Sequence, residues 1–506
     1  MSANNSPSRR DFVRNTAAAS AGAFAVAAAS RADATPVPPP AKWDHTADVV
    51  IAGGGAGGLV AAAYLAQNGV SVILMEKEPI TGGSSAICGG QIALAGTDMQ
   101  KAKGINDSPE LLTKDLLTVG QNMNNVSLVK AYADNQLELY DWLKKIGAKF
   151  TDVIAGSGQS VPRGHVVDPA AHLQLLRRTA LSAGAKIFDS TPAERLVYDA
   201  RAKKIVGIAA SDSSRKPVTF KAQRAVVLAT GGYARDHDML GLFTPPMKQA
   251  SVICGLGSNG DGVKMGWANG AGLADVAYVK ATFGFKPKAV SITKDFAYIY
   301  YEGAIMVNQD GKRFVNESIS YKLLGDAASA QTGGYAYQIY DEPVRQLALK
   351  QPLGSANPSE LEKSNAIVKA DTLAELAGKI GVKPEVLQQT VDEYNADIDK
   401  GADPLGRKAL SGEYGKPTPI KTAPFYAFKS VAVILGTYAG ITINDRTEVT
   451  DVYGAAIPGL YAAGEVTGGF HGAAYMTGSA FGKTHVFGFI AAKTIVAEGR
   501  NRRAAQ

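Results

Sequence analysis

One stretch of this chain, residues 48–76, constrains its fold more than any other. An apolar run predicts a buried strand, and the turn that follows has the pattern G-x-G-x-x-G at Gly53, Gly55 and Gly58. An Ala-rich helix pattern comes next, and then a second apolar strand that ends at Glu76. Glycines at this turn let backbone N–H groups reach a pyrophosphate, and an acid after the second strand accepts hydrogen bonds from a ribose. The stretch therefore predicts a Rossmann-like βαβ unit that binds a dinucleotide.

The whole chain predicts an α/β protein of more than one domain, because 506 residues with a hydrophobic content of 46% support several cores. Strand and helix patterns alternate up to about residue 276, with a helix over 108–145, a β meander within 187–226 and a buried strand at 225–229. Charged helix patterns then appear at 372–380 and 384–400. We predict a Rossmann-like domain formed by residues 47–276 and 431–495, with an α+β capping domain inserted at 277–430.

Residues 1–34 resemble a twin-arginine signal peptide. Arg9 and Arg10 precede a weakly apolar, Ala-rich run at 17–29, and Ala32-Asp33-Ala34 offers a cleavage site. The run is too short to span a membrane. We expect a periplasmic or exported protein without an integral membrane segment; a tail with a chance arginine pair is the alternative.

The charge and the cysteines exclude several function classes. The net charge of +7 lies partly in the N-terminal segment, and the chain has no basic run interleaved with aromatics, which argues against nucleic-acid binding. Cys88 and Cys254 form neither a haem-attachment motif nor a metal-ligand spacing, so we expect no metal and an external electron donor or acceptor. We expect both cysteines to be buried thiols, and a disulfide between them is the alternative.

Four further segments carry a family resemblance: Thr81–Ser85, Ala229–Gly232, Gly260–Gly262 and Gly459–Glu465. They resemble the fumarate reductase and succinate dehydrogenase flavoproteins, and the resemblance covers about residues 47–495. It implies that the Rossmann-like domain binds FAD. The cofactor-binding residues that it implies are Gly53, Gly55, Ala56, Gly58, Glu76, Lys77, Gly83, Ser84, Ser85, Gly89, Gly90, Gly231, Gly232, Asp261, Glu465, His471, Gly472, Ser479 and Ala480. Residues 81–86 contain no His, where some relatives tether FAD covalently, so we expect non-covalent FAD.

The chain departs from fumarate reductase at the substrate site. The resemblance implies a clamp of two histidines and two arginines for a dicarboxylate. Those positions fall here on uncharged residues: Thr282, residues 433–438, Tyr321 and Tyr475, with the proton relay at Ala297 and Tyr300. Because a buried carboxylate needs charge-assisted partners, fumarate and succinate are disfavoured as substrates.

Two of these segments resemble the flavin-dependent 3-ketosteroid dehydrogenases. Residues 314–321 resemble the segment that carries their catalytic base, which implies that Tyr321 removes a proton alpha to a ketone. Residues 475–479 resemble their carbonyl-binding segment, which implies that Tyr475 and the backbone N–H of Gly478 hold the ketone oxygen. Tyr438 and Thr477 are expected to contact the substrate too. The resemblance predicts an FAD-dependent dehydrogenase that desaturates a cyclic ketone.

Two other functions stay open. An ene-reductase acting on an unsaturated monocarboxylic acid needs a cation for the carboxylate, so Lys280 or Lys322 pointing at the flavin would favour it. A non-catalytic flavoprotein that only shuttles electrons would show a solvent-open flavin edge. We expect Arg313 and Glu317 to form a structural ion pair, and Arg345 to lie on the surface or between domains.

Overall fold

The computed structural model describes residues 37–504, apart from 249, 293, 352–354 and 411–414. The twin-arginine segment predicted at residues 1–34 lies outside the described residues. Within the described chain, no helix combines the length and the apolar character needed to cross a membrane.

An eight-stranded sheet forms the centre of the Rossmann-like domain. Five strands run parallel: β1 (His45–Ala52), β2 (Val72–Met75), β6 (Lys186–Phe188), β9 (Pro217–Leu228) and β19 (Ala456–Ala462). Their order is β19-β9-β1-β2-β6, and three antiparallel strands extend the sheet: β7 (Ala193–Asp199), β8 (Lys204–Ser211) and β18 (Glu448–Thr450). Residues 49–52 of β1 are completely buried, as expected for a parallel strand covered on both faces.

Helices and smaller sheets surround this sheet. The helices are α1 (Ala56–Gln67), α2 (Gly83–Ala86), α3 (Asp98–Ala102), α4 (Pro109–Val119), α5 (Val126–Lys145), α6 (Pro169–Ser182), α7 (His237–Phe243), α8 (Asp261–Ala268) and α14 (Ser479–Ala504). The short strands are β3 (Gln91–Ala93), β4 (Asp152–Ile154), β5 (Gly164–Val166), β11 (Leu273–Ala274) and β17 (Gly440–Ile441). Helix α1 packs against both α6 and α14, which buries the βαβ unit.

The helical pattern predicted over residues 108–145 is confirmed in most of its length, with Ser108 as N-cap, but it forms two helices instead of one. Helices α4 and α5 are separated by a turn in which Gln121 and Asn122 adopt positive φ angles of 55° and 57°. The side-chain amide of Asn124 in this turn donates to the carbonyl of Phe470. The turn thus holds the loop around residue 470, a contact that the helical periodicity could not indicate.

The buried strand predicted at 225–229 is the end of a longer strand. Strand β9 starts at Pro217 and pairs first with β8, antiparallel, and then with β19, parallel. The predicted meander and the return strand are therefore one continuous piece of sheet.

The capping region contains a six-stranded sheet with helices around it. Its strands are β10 (Ser251–Val252), β12 (Val279–Phe285), β13 (Ile305–Val307), β14 (Tyr335–Asp341), β15 (Ile367–Ala370) and β16 (Phe425–Thr437). Its helices are α9 (Tyr321–Ser329), α10 (Glu342–Leu349), α11 (Ser359–Lys363), α12 (Leu373–Ile380) and α13 (Pro384–Lys400). The helices predicted at 372–380 and 384–400 are confirmed. The predicted boundary near residue 430 lies inside β16, which leads from the capping sheet towards the large domain.

Helix α9 positions Tyr321, one of the residues of the candidate site. A Cβ added at Gly325 would lie 3.4–3.6 Å from Ala432 and Ala281, so α9 lies closely on strands β12 and β16. This close approach requires small residues on both sides. It brings Tyr321, the first residue of α9, to the buried side of the capping sheet.

Candidate active site

A cavity opens at the carboxyl ends of the parallel strands, where α/β sheets bind their ligands. Many predicted cofactor residues line it: Gly53, Gly55, Ala56, Glu76, Lys77, Gly83, Ser84, Ser85, Gly231, Asp261 and Glu465. They come from segments far apart in sequence that the sheet order brings together. The ammonium of Lys77 forms an ion pair with Asp261, 2.6 Å away, across this wall.

The other predicted cofactor residues do not line the cavity. A Cβ on Gly58 would lie 2.0 Å from the carbonyl oxygen of Gly53, so Gly58 allows α1 to pack on its preceding turn. A Cβ on Gly232 would lie 2.3 Å from Glu465, directly behind the wall. The remaining predicted cofactor residues are also absent from the cavity wall: Gly89, Gly90, His471, Gly472, Ser479 and Ala480.

Glu76 is buried at the end of β2, as its position in the sequence predicts. Its carboxylate accepts hydrogen bonds from the backbone N–H groups of Gly54, at 2.8 Å, and Glu78, at 2.9 Å. Burial raises the pKa of Glu76 and these two hydrogen bonds oppose the rise. The carboxylate therefore lies fixed beside the glycine turn, where a ribose would meet it.

Several cavity residues were missed by the sequence analysis: Gly57, Thr230, Gly255, Gly257, Ser258, Gly464 and Thr484. Ser258 pairs its hydroxyl with that of Ser84, 3.3 Å away. Thr230 lies within the segment Ala229–Gly232, so this motif is the sequence signal that indicates it. The segment around Gly255 carries no local signal beyond its glycines.

The wall suits a dinucleotide such as FAD. Gly53 has a φ of 105°, and a Cβ there would lie 2.3 Å from the carbonyl oxygen of Ala229, so the turn needs glycine. The buried hydroxyl of Thr230 on the wall has no hydrogen-bond partner among the described residues. An orphaned polar atom beside a glycine turn, with the N-terminus of α1 facing it, fits a phosphate-containing ligand.

A cluster of phenols lies beside the cavity, where the capping region meets α14. The rings of Tyr321 and Tyr475 are 6.1 Å apart, although they are separated by more than a hundred residues in sequence. The ring of Tyr298 stacks on Tyr321 at 5.7 Å, with 2° between the planes. The sequence analysis did not select Tyr298, because nothing in its local pattern distinguishes it from a core tyrosine.

Tyr475 is held in a specific way. The backbone N–H of Gly478 donates to the Tyr475 hydroxyl oxygen over 3.0 Å. The sequence analysis expected this N–H to hold the substrate carbonyl directly, and the structure differs because the donor already has a partner. With an acceptor site of the oxygen filled, the Tyr475 proton remains available for donation.

Burial controls the protonation of these side chains. Burial, followed by the neighbouring phenols of Tyr475 and Tyr298, raises the pKa of Tyr321 well above its usual value. Burial, followed by the charges of Lys483 and Lys280, lowers the pKa of His471 well below its usual value. At neutral pH the phenol therefore keeps its proton and the imidazole is uncharged.

Tyr438 and Thr477, predicted substrate contacts, differ in their surroundings. The buried hydroxyl of Tyr438 has no hydrogen-bond partner among the described residues, and its ring lies 5.0 Å from that of His471. Thr477 is tied to the neighbouring loop, since its N–H donates to Ser157 and its carbonyl accepts from Gln159.

The two candidate lysines of the capping region have opposite environments. Lys322 is buried and forms an ion pair with Asp326, one turn further along α9. The ammonium of Lys280 lies 4.0 Å above the centre of the Tyr475 ring. None of the ion pairs within the described ranges includes Lys280. One charged lysine thus lies against the phenol cluster.

Several other charged residues of the capping region form ion pairs with one another. The side chain of Glu317 is fully buried and pairs with the guanidiniums of Arg313, at 2.7 Å, and Arg407, at 3.4 Å. The predicted structural pair of Arg313 and Glu317 is therefore confirmed. Arg345 pairs with Glu362, and across the described ranges no cluster of His, Cys, Asp or Glu is suited to hold a metal ion.

Comparison with known proteins places this geometry in a family. A family described as an FAD binding domain matches residues 48–480. The chain is 34% identical over 438 residues to a fumarate reductase (cytochrome) of Shewanella frigidimarina, a match that covers 85% of this chain and 73% of the relative.

Two similar proteins have ketones in their names. A 4-oxocyclohexanecarboxylate 2-dehydrogenase of Sinomonas cyclohexanicum is 27% identical, over 90% of this chain and 93% of its own length. The structure of 3-ketosteroid-Δ4-(5α)-dehydrogenase from Rhodococcus jostii RHA1, in complex with 4-androstene-3,17-dione, matches with a TM-score of 0.77 and 27% identity. That match covers 91% of this chain and 99% of the other.

Proposed function

The chain belongs to the FAD binding domain family and is an FAD-dependent oxidoreductase that acts on CH–CH groups, and we propose that its substrate is a cyclic ketone. The reaction is hydride transfer at the carbon–carbon bond alpha,beta to the carbonyl. The observation that carries this proposal is the convergence of Tyr321 and Tyr475, with the Tyr475 oxygen held by the Gly478 N–H.

Tyr475 polarises the ketone in this mechanism. Its hydroxyl donates to the carbonyl oxygen, which makes the alpha C–H more acidic and stabilises the negative charge that develops on that oxygen. The Gly478 N–H strengthens this donor because its hydrogen bond to the phenol oxygen stabilises the negative charge that builds up there.

Tyr321 handles the alpha proton. In desaturation its oxygen takes the proton from the alpha carbon, the beta carbon loses a hydride, and the C=C bond forms. In the reverse reaction Tyr321 gives the proton back. Because burial raises the pKa of Tyr321, the hydroxyl is poised as the proton donor, which favours reduction of an enone at neutral pH. Bound FAD supplies the hydride-accepting or hydride-donating centre.

The relatives support a ketone as the substrate. The two similar dehydrogenases named above carry a ring ketone in the names of their compounds. The uncharged residues at the dicarboxylate clamp positions of this chain point the same way, because Thr282, Tyr321 and Tyr475 offer no charge to a diacid.

Anaerobic titration tests the proposal. Purified protein in its yellow, oxidised form is mixed with cyclic ketones, and its reduced form with the matching enones, while the flavin absorbance is followed. We expect bleaching by ketones and recolouring by enones, with fumarate inactive. Rapid reoxidation by fumarate, without any response to ketones or enones, would refute the ketone proposal.

A second candidate is an ene-reductase of unsaturated monocarboxylic acids, and the position of Lys280 favours it. The ammonium beside Tyr475 supplies the cation that this reaction requires. The same titration separates the two, since a monocarboxylic ene-reductase is reoxidised by simple unsaturated acids that have no ketone.

We also propose that FAD binds without a covalent bond. Among the described residues that line the cavity there is no His, Cys or Tyr, the side chains able to form a flavin linkage. Acid precipitation should release the flavin into the supernatant; flavin retained in the pellet would contradict this.

Export by the twin-arginine pathway is a further proposal, supported by Arg9 and Arg10 before an Ala-rich run. Replacing both arginines by lysine should leave the precursor inside the cell, as fractionation and immunoblotting would show. Outside the cytoplasm the enzyme needs a separate electron donor or acceptor, since the sequence has no haem-attachment motif.

A further inference from the structure

Lys280 is an unusual residue for a site that is otherwise lined by phenols. It lies on β12, at an irregularity in the pairing of β12 with β16 between Val279 and Ala281. Its ammonium lies 4.0 Å from the Tyr475 ring centre, and its side chain is partly buried. Partial burial of a cation that has no ion-pair partner costs free energy. The presence of Lys280 in the pocket therefore indicates that a bound ligand supplies an anion.

The nearby acids do not supply that anion. Asp326 is engaged by Lys322. Glu465 directs one carboxylate oxygen to the backbone N–H of Thr437, at 2.8 Å, and lies beyond ion-pair distance of Lys280. Burial is the largest influence on Glu465 and raises its pKa, and the hydrogen bonds from Thr437 together with the charges of Lys280 and Lys483 oppose this rise.

We propose that Lys280 binds a carboxylate of the substrate, so that the preferred substrates are cyclic ketones that carry one carboxylate group. This inference rests on the proposed ketone function. Tyr475 holds the ketone oxygen at its hydroxyl, while Lys280 lies over the face of the same ring. Tyr475 therefore sets the distance between the carbonyl group and the carboxylate group of the substrate.

The charges around the site limit the substrate to one carboxylate. His471 is uncharged at neutral pH, Lys322 is neutralised by Asp326, and the ammonium of Lys483 donates to the carbonyl of Thr467. A second carboxylate would meet the phenols of Tyr298, Tyr321 and Tyr438, which offer only neutral hydroxyl donors. A neutral steroid-like ketone would leave Lys280 without a partner. The site thus selects against both diacids and neutral ketones.

The test compares a cyclohexanone that carries one carboxylate with its methyl ester, using the FAD-loaded enzyme. Lys280→Met keeps the length of the side chain and removes its charge, and Lys280→Arg keeps the charge. Lys429→Met is the matched control, because the Lys429 ammonium lies 3.7 Å over Tyr335, in a different hydrophobic core.

We expect Lys280→Met to lower kcat/KM for the acid by about thirtyfold or more, the usual cost of removing one partner of a desolvated charge pair. The effect should appear mainly in KM, the ester should change little, Lys280→Arg should restore much of the loss, and Lys429→Met should behave as wild type. The flavin absorption spectrum of Lys280→Met should match that of the wild type.

Equal use of acid and ester by the wild type, or an equal loss for both in Lys280→Met, would overturn the carboxylate assignment while the ketone function stands. A response to simple unsaturated acids but to neither ketone, with a raised KM in Lys280→Met, would instead refute the ketone function and keep the anion site.

Discussion

Replacing Tyr321 by phenylalanine tests the central chemical assignment. The substitution removes one oxygen and keeps the ring that stacks on Tyr298 at 5.7 Å and lies 6.1 Å from Tyr475. Burial and the neighbouring phenols, and no hydrogen bond among the described residues, account for the raised pKa of Tyr321, so its removal leaves no buried partner unsatisfied. The free energy of unfolding should therefore change by less than about 0.5 kcal/mol.

Turnover should respond very differently. Removal of a group that carries a proton in the transition state costs about 10²–10⁴-fold in rate. We expect Tyr321→Phe to bind FAD normally, with an unchanged absorbance ratio at the flavin and protein bands, and to lose at least a hundredfold in kcat with a cyclic ketone and an artificial electron acceptor.

Tyr300→Phe is the control for this measurement. The Tyr300 hydroxyl donates to the carbonyl of Phe283 over 3.3 Å in the core of the capping region. Its removal should cost about 1 kcal/mol of stability in a urea titration and leave kcat within a small factor of the wild type. Unchanged turnover in Tyr321→Phe, with FAD bound, would remove Tyr321 from the mechanism.

Three further predictions follow from buried charge. Glu317→Gln should destabilise the protein by about 3–5 kcal/mol, measured by urea unfolding, because two buried guanidiniums lose their shared carboxylate. Burial lowers the pKa of Lys483 to about 8. Between there and its usual value near 10.5 the unfolded chain binds the extra proton, so stability should rise with pH by about 3 kcal/mol, and Lys483→Met should lack this rise. Because the pKa of Tyr321 is raised, the desaturation rate should increase with pH up to at least about 9 without a plateau, whereas the enone reduction rate should stay flat; a plateau near pH 7 would show another base.

The cofactor-binding half of the protein was predictable because its signals are local. A strand, a glycine turn, a helix and a second strand follow one another within residues 48–76, and each is set by the spacing of apolar residues and glycines. The steric limit at Gly58 acts within the turn, against the carbonyl oxygen of Gly53, whereas the limit at Gly53 is set by Ala229, which follows strand β9. The helix break at residues 120–125 was missed, since it depends on contacts with the loop near Phe470.

The candidate substrate site was decided by tertiary structure. Sequence resemblance selected Tyr321 and Tyr475, but it contained no information on which lysine would lie beside them. Strand pairing between β12 and β16 places Lys280 over Tyr475, whereas the pair of Lys322 and Asp326 follows from their i,i+4 spacing within α9. The hydrogen bond from the Gly478 N–H is local by contrast, since its acceptor, the Tyr475 hydroxyl, belongs to a residue only three positions earlier. The sequence determines which side chains are charged. Whether a charged side chain has a partner of opposite charge depends on which distant groups the fold brings within a few ångströms.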